Sequence, residues 1–340
     1  MRFGKVRMAD PRFAVVRLGS LGDIVHTFPA VAALRDSFAT ADIVWLTHPR
    51  WVELVASSAL ATEIWPVESR DLASVRHVIR KLREQRWDAG IDYQGLWKAA
   101  FLPFFAGIRR RIGFSSSSVR EYGVPILYTD RVDANCAHVA EQNGELSVRA
   151  GAKKGIATFD LRLNSEDAER VRGDLERQGI RRYVVLSPGG GWRSKCWPVE
   201  RFGALCERIS RELELPCIVN YGPGEKELAD AVQAKCGRGR SVVYDGELGP
   251  LMALLKNAEC IVGGDTGPLH LAVALGTAAV ALFGPTDPRR NGPFPPGDTV
   301  LRSPGAATTY TRSNQTAPSL LELSVDQVFE AVKNRLGARV

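Results

Sequence analysis

The chain has 340 residues, 45% of them hydrophobic and 24% charged, which is enough to bury more than one ordinary core. Two domains are therefore expected, and disordered or fibrous classes are excluded. Its 32 glycines and 19 prolines suit an α/β protein with many short turns. The formal charge of +7 favours an anionic partner such as nucleic acid, a phosphorylated glycolipid or an acidic membrane face, with a merely basic soluble protein as the plain alternative.

The six cysteines, Cys136, Cys196, Cys206, Cys217, Cys236 and Cys260, form no CxxC pair and no metal-finger spacing, so free thiols in a reducing cytoplasm are expected. The basic first ten residues lead into a short strand rather than a long apolar segment with a cleavage site, so a signal peptide is not expected. Residues 269–283 are the most apolar stretch, but Gly276 and Thr277 interrupt them. They also fall short of the roughly 20 residues of a membrane span.

In chain order, residues 13–18 read as a buried strand, followed by a loop over Gly19–Asp23 and a helix over about 24–36. A strand over 43–46, a helix over 52–57 and a short strand over 89–92 continue the pattern. The amphipathic run 71–86 places Leu72, Val75, Ile79 and Leu82 on one helix face, expected to meet a core. Arg76, Arg80, Lys81, Arg83 and Arg86 cover its other faces, either as plain solvated surface or as an anion-binding face. Arg109, Arg110, Arg111, Ser115–Ser118 and Arg120 form a second basic cluster that reads as a loop.

Between 151 and 165 the pattern weakens, which marks the linker. It then restarts: a polar helix from Ser165 to near Gly179, strands at 183–186, 217–220, 242–243, 260–262 and 278–283, and helices at 198–213, 225–236, 249–257 and 268–275. Such alternation implies parallel sheets covered by helices on both faces. Ser324, Val325, Asp326 and Gln327 form a capping box for a last helix, whose apolar stripe is Val325, Val328, Phe329, Val332 and Leu336.

Four loops at strand ends carry chemistry. Gly263, Gly264, Asp265, Thr266, Gly267, Pro268, Leu269 and His270 lie where a strand ends and a helix starts, a place where free amides and the helix dipole suit a diphosphate. Asp265 as an ordinary cap and His270 as a core histidine are the plain alternatives. Ser187, Pro188, Gly189, Gly190 and Gly191 suit an anion-cradling nest, to which Lys195 adds a mobile charge, or else form a flexible loop. Glu225 begins a helix after Gly222 and Gly224, where it either accepts hydrogen bonds from ribose hydroxyls or caps the helix. Asp23, after Gly19 and Gly22, is suited to deprotonating a hydroxyl. Its loop lacks the third glycine and later acid of a dinucleotide fingerprint, which weakens a nicotinamide reading.

An ordered series of motifs resembles the lipopolysaccharide heptosyltransferases of glycosyltransferase family 9. These are Gly22-Asp23-Ile24-Val25-His26-Thr27-Phe28-Pro29, Ile91-Asp92-Tyr93-Gln94-Gly95-Leu96-Trp97-Lys98, Arg120-Glu121, Lys195-Cys196-Trp197-Pro198, Asp265-Thr266-Gly267-Pro268-Leu269-His270-Leu271-Ala272 and Gly284-Pro285-Thr286-Asp287-Pro288. The resemblance runs from about Phe13 to Pro296, and it is the ordered set that is specific. It implies an α/β GT-B fold, two Rossmann-like domains with parallel sheets facing across a cleft. Residues 1–160 would bind the acceptor and 161–315 the nucleotide sugar, while 316–340 would form a helix packing back toward the first domain.

The resemblance further implies transfer of heptose from ADP-heptose to the octulosonate (Kdo) of the lipopolysaccharide inner core, with inversion and with neither metal nor cofactor. Asp23 would be the general base and Lys195 would steady the departing diphosphate. Ser187, Gly189, Glu225, Asp265, Thr266, Gly267 and His270 fall on the donor side, and Gly22, Gln94, Lys98 and Arg120 on the acceptor side. The partners are then ADP-heptose or a related nucleotide sugar and a Kdo-lipid A-like acceptor, with no nucleic acid. The location is cytoplasmic, with peripheral contact at the inner face of the inner membrane. His26-Thr27 and Gln94-Gly95-Leu96 resemble the type I branch. Two departures, the glycine-rich 189–192 loop and Pro268-Leu269 after Gly267, fall on the donor side and bear on sugar identity more than on fold. The alternatives are a member with another sugar or acceptor, a GT-B-like nucleotide-sugar epimerase, and a binding protein with a decayed catalytic loop.

Overall fold

A computed structural model describes residues 10–337 apart from 238, 246, 310 and 312. The chain divides into two compact units, the first ending at Phe159 and the second beginning at Asp160.

The first unit runs β1 (Arg12–Val16), α1 (Leu21–Val25), α2 (Phe28–Ser37), β2 (Asp42–Thr47), α3 (Val52–Ser57), β3 (Glu63–Pro66), α4 (Leu72–Arg83), β4 (Ala89–Asp92), α5 (Trp97–Phe105), β5 (Arg111–Phe114), β6 (Asp130–Val132) and α6 (Val139–Ala150). Its six strands pair in parallel in the order β3-β2-β1-β4-β5-β6. Phe13 through Val16 are buried, as an apolar run must be in a parallel sheet covered on both faces. The helix expected over 24–36 is two helices. Pro29, in the first turn of α2, has no N–H to donate back into a continuous helix, so the chain caps at His26 and restarts.

Helix α4 is capped by the Asp71 carboxylate, which accepts from the Ala73 and Ser74 amides. Val78 and Leu82 are buried and Val75 and Ile79 pack on the core, but Leu72 is 68% exposed. At the first turn the stripe overhangs the sheet, which corrects the expectation for that residue. The basic cluster at 109–120 is not one loop. Arg111 opens β5 and donates to the Ile108 and Leu127 carbonyls, while Arg110 donates to the Arg149 carbonyl.

The second unit runs α7 (Ser165–Arg177), β7 (Val184–Ser187), α8 (Val199–Glu212), β8 (Cys217–Tyr221), α9 (Lys226–Lys235), β9 (Ser241–Asp245), α10 (Leu248–Lys256), β10 (Cys260–Gly264), α11 (Gly267–Ala274), β11 (Ala279–Phe283), α12 (Pro288–Asn291), β12 (Thr299–Arg302), α13 (Pro318–Leu321) and α14 (Val325–Gly337). Its sheet is parallel with the order β12-β11-β10-β7-β8-β9. Counted from its own first strand, this is the order of the first sheet, the doubly wound Rossmann arrangement.

The capping box at Ser324 forms: Gln327 Oε1 accepts from the Ser324 amide at 2.9 Å, and Ser324 Oγ accepts from the Gln327 amide at 3.2 Å. Val328, Phe329 and Val332 of α14 lie in the core of the second unit, against α8 and the β10–β12 strands. The stripe expected to cover the first domain thus covers the second sheet, because β10–β12 leave an apolar face beside α8 that this helix fills. Cys206 and Cys236 form a disulfide, with Cα atoms 5.4 Å apart, which corrects the expectation of six free thiols. Packing of α8 along α9 brings together two cysteines 30 residues apart, a pairing that local spacing does not reveal. Among the described residues, no helix is long and apolar enough to cross a membrane.

Candidate active site

In a doubly wound sheet the ligand crevice opens at the carboxyl ends of the strands, where strand order reverses. That point lies between β1 and β4 in the first unit and between β7 and β10 in the second. Asp23, Gln94 and Arg120 meet at the first of these places, and Lys195, Asp265 and His270 at the second, with Glu225 joined to the Gly190 loop.

In the first unit, Arg17 follows β1 and is buried. Its Nη2 lies 2.6 Å from Asp23 Oδ1, and its Nη1 donates to the Tyr93 carbonyl. Arg120 Nη2 approaches the same Oδ1 at 3.1 Å. The other oxygen, Oδ2, accepts from the amide and the hydroxyl of Ser20, each at 3.1 Å. Burial works against the charge on Asp23, but Arg17, Arg120 and the two Ser20 donors outweigh it and hold the carboxyl well below the usual carboxylate range. Asp23 is therefore an ionised acceptor at neutral pH. Oδ2 thus closes a capping box with Ser20, while Oδ1 faces the two arginines.

Gln94 ties the β4 loop to the β1 loop, its Oε1 accepting from the Leu18 amide at 2.8 Å. Beneath it, the fully buried Asp92 accepts from the amides of Gln94 (2.8 Å) and Gly95 (3.2 Å) and from the Tyr128 hydroxyl (2.6 Å). Burial outweighs these bonds and pushes its carboxyl up to about 6. Gly95 turns the chain at φ +67°, a left-handed value that favours glycine. Gly22 is buried within α1, and Lys98 is exposed on the first turn of α5. Motif residues His26 and Thr27 serve packing: Asn143 donates to the His26 carbonyl and to Thr27 Oγ1, and Thr27 in turn donates to the Asp23 carbonyl.

In the second unit, Lys195 Nζ lies 2.6 Å from Asp265 Oδ2, and His270 Nε2 lies 3.0 Å from Oδ1. Burial again opposes the charge on Asp265, and His270 and Lys195 outweigh it, holding this carboxyl far below its ordinary range. Thr266 and Gly267 begin α11, so the amides of its first turn sit beside this cluster. The close approach of the Lys195 turn depends on Gly264, where a Cβ would meet the Lys195 carbonyl oxygen at 2.7 Å. Lys195 Nζ also stacks over the Trp192 ring, 4.5 Å from its centroid.

Ser187 ends β7 and is buried. Glu225 accepts from the Gly190 amide at 2.9 Å with one oxygen and from the Gly222 amide at 3.0 Å with the other. It makes no side-chain cap to α9, so the plain capping alternative does not hold. It joins two glycine loops instead. A Cβ at Gly189 would stand 2.2 Å from Glu225 Oε2, so a side chain there would have to displace that carboxylate from its two amides. Arg17, and Asp92 with Tyr128, are functional candidates that the loop motifs missed. An arginine at the end of the apolar run 13–18 was the available signal, because a charge there needs a buried partner.

The model of glycosyltransferase family 9 (heptosyltransferase) matches residues 75–319. The chain is 26% identical over 301 residues to lipopolysaccharide heptosyltransferase 1 of Pseudomonas aeruginosa, covering 83% of this chain and 81% of that one. Among solved structures it is similar to the glycosyl transferase family 9 protein of Veillonella parvula, with a TM-score of 0.83, 20% identity and coverage of 98% of this chain and 100% of the other. It is also similar to the Escherichia coli heptosyltransferase WaaC with ADP-2-deoxy-2-fluoro heptose, with a TM-score of 0.74, 23% identity and coverage of 95% and 99%. At that likeness the two Rossmann-like units are those of the GT-B fold, and with the family match spanning most of its length the chain is a glycosyltransferase belonging to family 9, the heptosyltransferase family.

Proposed function

We propose that the protein moves a heptose from ADP-heptose to the Kdo residue of a lipopolysaccharide inner core, by single displacement with inversion at the anomeric carbon. The acceptor hydroxyl loses its proton to Asp23 and its oxygen bonds to the anomeric carbon. The bond from that carbon to the diphosphate oxygen breaks, and ADP leaves with the electron pair. The second unit takes the donor and the first the acceptor, in a cytoplasmic enzyme.

The observation that carries this reading is the Lys195–Asp265–His270 cluster at the amide-rich start of α11. An ammonium has three N–H donors, so Lys195 can keep Asp265 and still meet a diphosphate with the other two. Asp265 and His270 then act as positioning residues, and charge developing on the leaving group meets a cation already in place. Glu225 retains lone pairs beyond its two amide bonds, available to ribose hydroxyls. On the acceptor side Gln94 sets the loop that carries Asp23, while Lys98 and Arg120 supply positive charge to an anionic sugar acid.

The test is incubation with ADP-heptose, with and without a Kdo-bearing acceptor, following ADP and the glycosylated product. Acceptor-dependent ADP release with equimolar product supports the proposal. ADP-heptose converted to an epimer without acceptor contradicts it, as does turnover confined to another nucleotide sugar.

A further inference from the structure

Asp23 is crowded for a base. A carboxylate offers about four lone-pair sites. Here Oδ1 is flanked by Nη2 of Arg17 at 2.6 Å and Nη2 of Arg120 at 3.1 Å, while Oδ2 accepts from the amide and hydroxyl of Ser20. An attacking hydroxyl finds no open oxygen, and its proton meets a carboxylate that two cations hold well below the usual range. Catalysis gains as the pKa of a base rises toward the working pH, so Asp23 in this state is a slow one. One of its contacts has to give way before transfer.

The two cations differ in how they are held. Arg17 is 2% exposed and its Nη1 donates to the Tyr93 carbonyl, so it stays. Arg120 leaves 40% of its side chain exposed, and among the described residues Asp23 is the one hydrogen-bond or ion-pair partner of its guanidinium. Its backbone is fixed on both sides: Glu121 accepts from the Trp97 amide at 2.7 Å, and Val119 lies against Gly95, where a Cβ would meet Val119 Cγ2 at 3.2 Å. The side chain can swing while its root stays in place. Lys98, exposed on the first turn of α5 next to Trp97, is a second cation beside the same segment. An acid group bound by Lys98 and Arg120 competes with Asp23, since either bidentate fork of a guanidinium uses Nη2, the atom that Asp23 holds.

We propose that Arg120 gates the base: it blocks Asp23 in the free enzyme and is drawn off Oδ1 by the carboxylate of an incoming sugar-acid acceptor. The vacated Oδ1 then takes the proton of the acceptor hydroxyl. Without acceptor, water could give its proton to the same oxygen, bond to the anomeric carbon and release ADP, and the Arg120 contact suppresses that loss of donor. The inference rests on the reading of Asp23 as base for a sugar-acid acceptor.

The probes are ADP-heptose, the methyl glycoside of Kdo and its carboxamide, which is neutral but keeps every hydroxyl. Wild type is compared with Arg120→Ala, whose fold is kept because the side chain is exposed and touches Asp23 alone. In the variant, acceptor-free ADP release and kcat on the carboxamide should each rise about tenfold, and the wild-type preference in kcat for the acid should disappear. An arginine that only binds acceptor leaves both rates at or below wild type, and that result overturns the inference.

A second measurement needs no turnover. The Asp23 carboxyl ¹³C resonance, assigned with Asp23→Asn, should shift in wild type on addition of the Kdo glycoside, but not of the carboxamide, and should not shift in Arg120→Ala. A resonance that the glycoside leaves unmoved in wild type overturns the gate even where transfer to Kdo is found. The expected shift without transfer to Kdo supports the gate and counts against the acceptor reading alone, so the two proposals fail separately.

Discussion

Arg17 and Asp23 form a buried ion pair with 2.6 Å between Nη2 and Oδ1, at the carboxyl end of the first strand. Removing one partner of a fully buried pair costs about 3–5 kcal/mol, but in Arg17→Met the carboxylate keeps Arg120 and the two Ser20 donors. Arg17→Met is therefore expected to lower stability by less than that and to raise the Asp23 pKa toward the ordinary carboxylate range. The acid limb of the kcat/KM profile should move to higher pH, and Arg17→Lys, which keeps the charge, should reverse most of that movement. A profile identical to wild type in Arg17→Met would separate Asp23 from the rate.

Asp23 and Asp92 predict opposite dependences of stability on pH. Asp23 has a depressed folded pKa, so its contribution is present at neutral pH and is lost as pH falls below about 4, the unfolded value. Asp92 has a folded pKa of about 6. The folded state then binds the extra proton between about 4 and 6, so stability declines as pH rises through that window. Asp92→Asn removes the ionisation while an amide oxygen remains to accept from Gln94 and Gly95. It should flatten the decline, recovering at most about 3 kcal/mol above pH 6, at about 1.4 kcal/mol per unit. Denaturant melts at pH 4, 5, 6 and 7 measure it.

Glu225→Gln keeps one acceptor oxygen for the two glycine loops, and Glu225→Ala removes both. Loss of the carboxylate leaves the Gly190 and Gly222 amides without it, a destabilisation of roughly 1–3 kcal/mol. The account expects ADP affinity to fall at least tenfold in Glu225→Ala, and less in the Gln variant, with kcat reduced little. Calorimetric titration of ADP decides it. Unchanged affinity would confine Glu225 to loop structure.

The Cys206–Cys236 disulfide closes a chain separation of 30 residues, which in the chain-entropy account stabilises by roughly 3–4 kcal/mol. Protein denatured without reductant should titrate four thiols, Cys136, Cys196, Cys217 and Cys260. Cys206→Ala/Cys236→Ala should melt several degrees lower. Six thiols in the unreduced protein would contradict the pairing.

Much of this architecture was legible because its signals are local. Apolar runs bounded by glycine marked β1, β4, β7 and β10, and the Ser324 box marked α14. Residues 97–105, 111–114 and 130–132 were not assigned as elements. Their strands are short, and α5 is apolar nearly throughout, so it lacks the polar face that periodicity needs. At the site, Asp23, Lys195, Asp265 and Glu225 announced themselves by lying on glycine loops after strands. Their partners did not: Arg17 and Arg120, 103 positions apart in sequence, meet at Asp23, and Glu225 reaches back to Gly190. Such pairings come from strand order, which no short window contains. The same reason hid the destination of α14.

The central claim, that Asp23 accepts the proton of the attacking hydroxyl, is tested most directly by kcat and donor affinity of folded Asp23→Asn, checked by circular dichroism below its lowered melting temperature. A positioned base contributes about 10²- to 10⁴-fold. The account predicts a kcat reduced by that factor, an ADP-heptose Kd within about threefold of wild type and a loss of stability from the unpaired Arg17. A folded variant turning over at near wild-type kcat would contradict it.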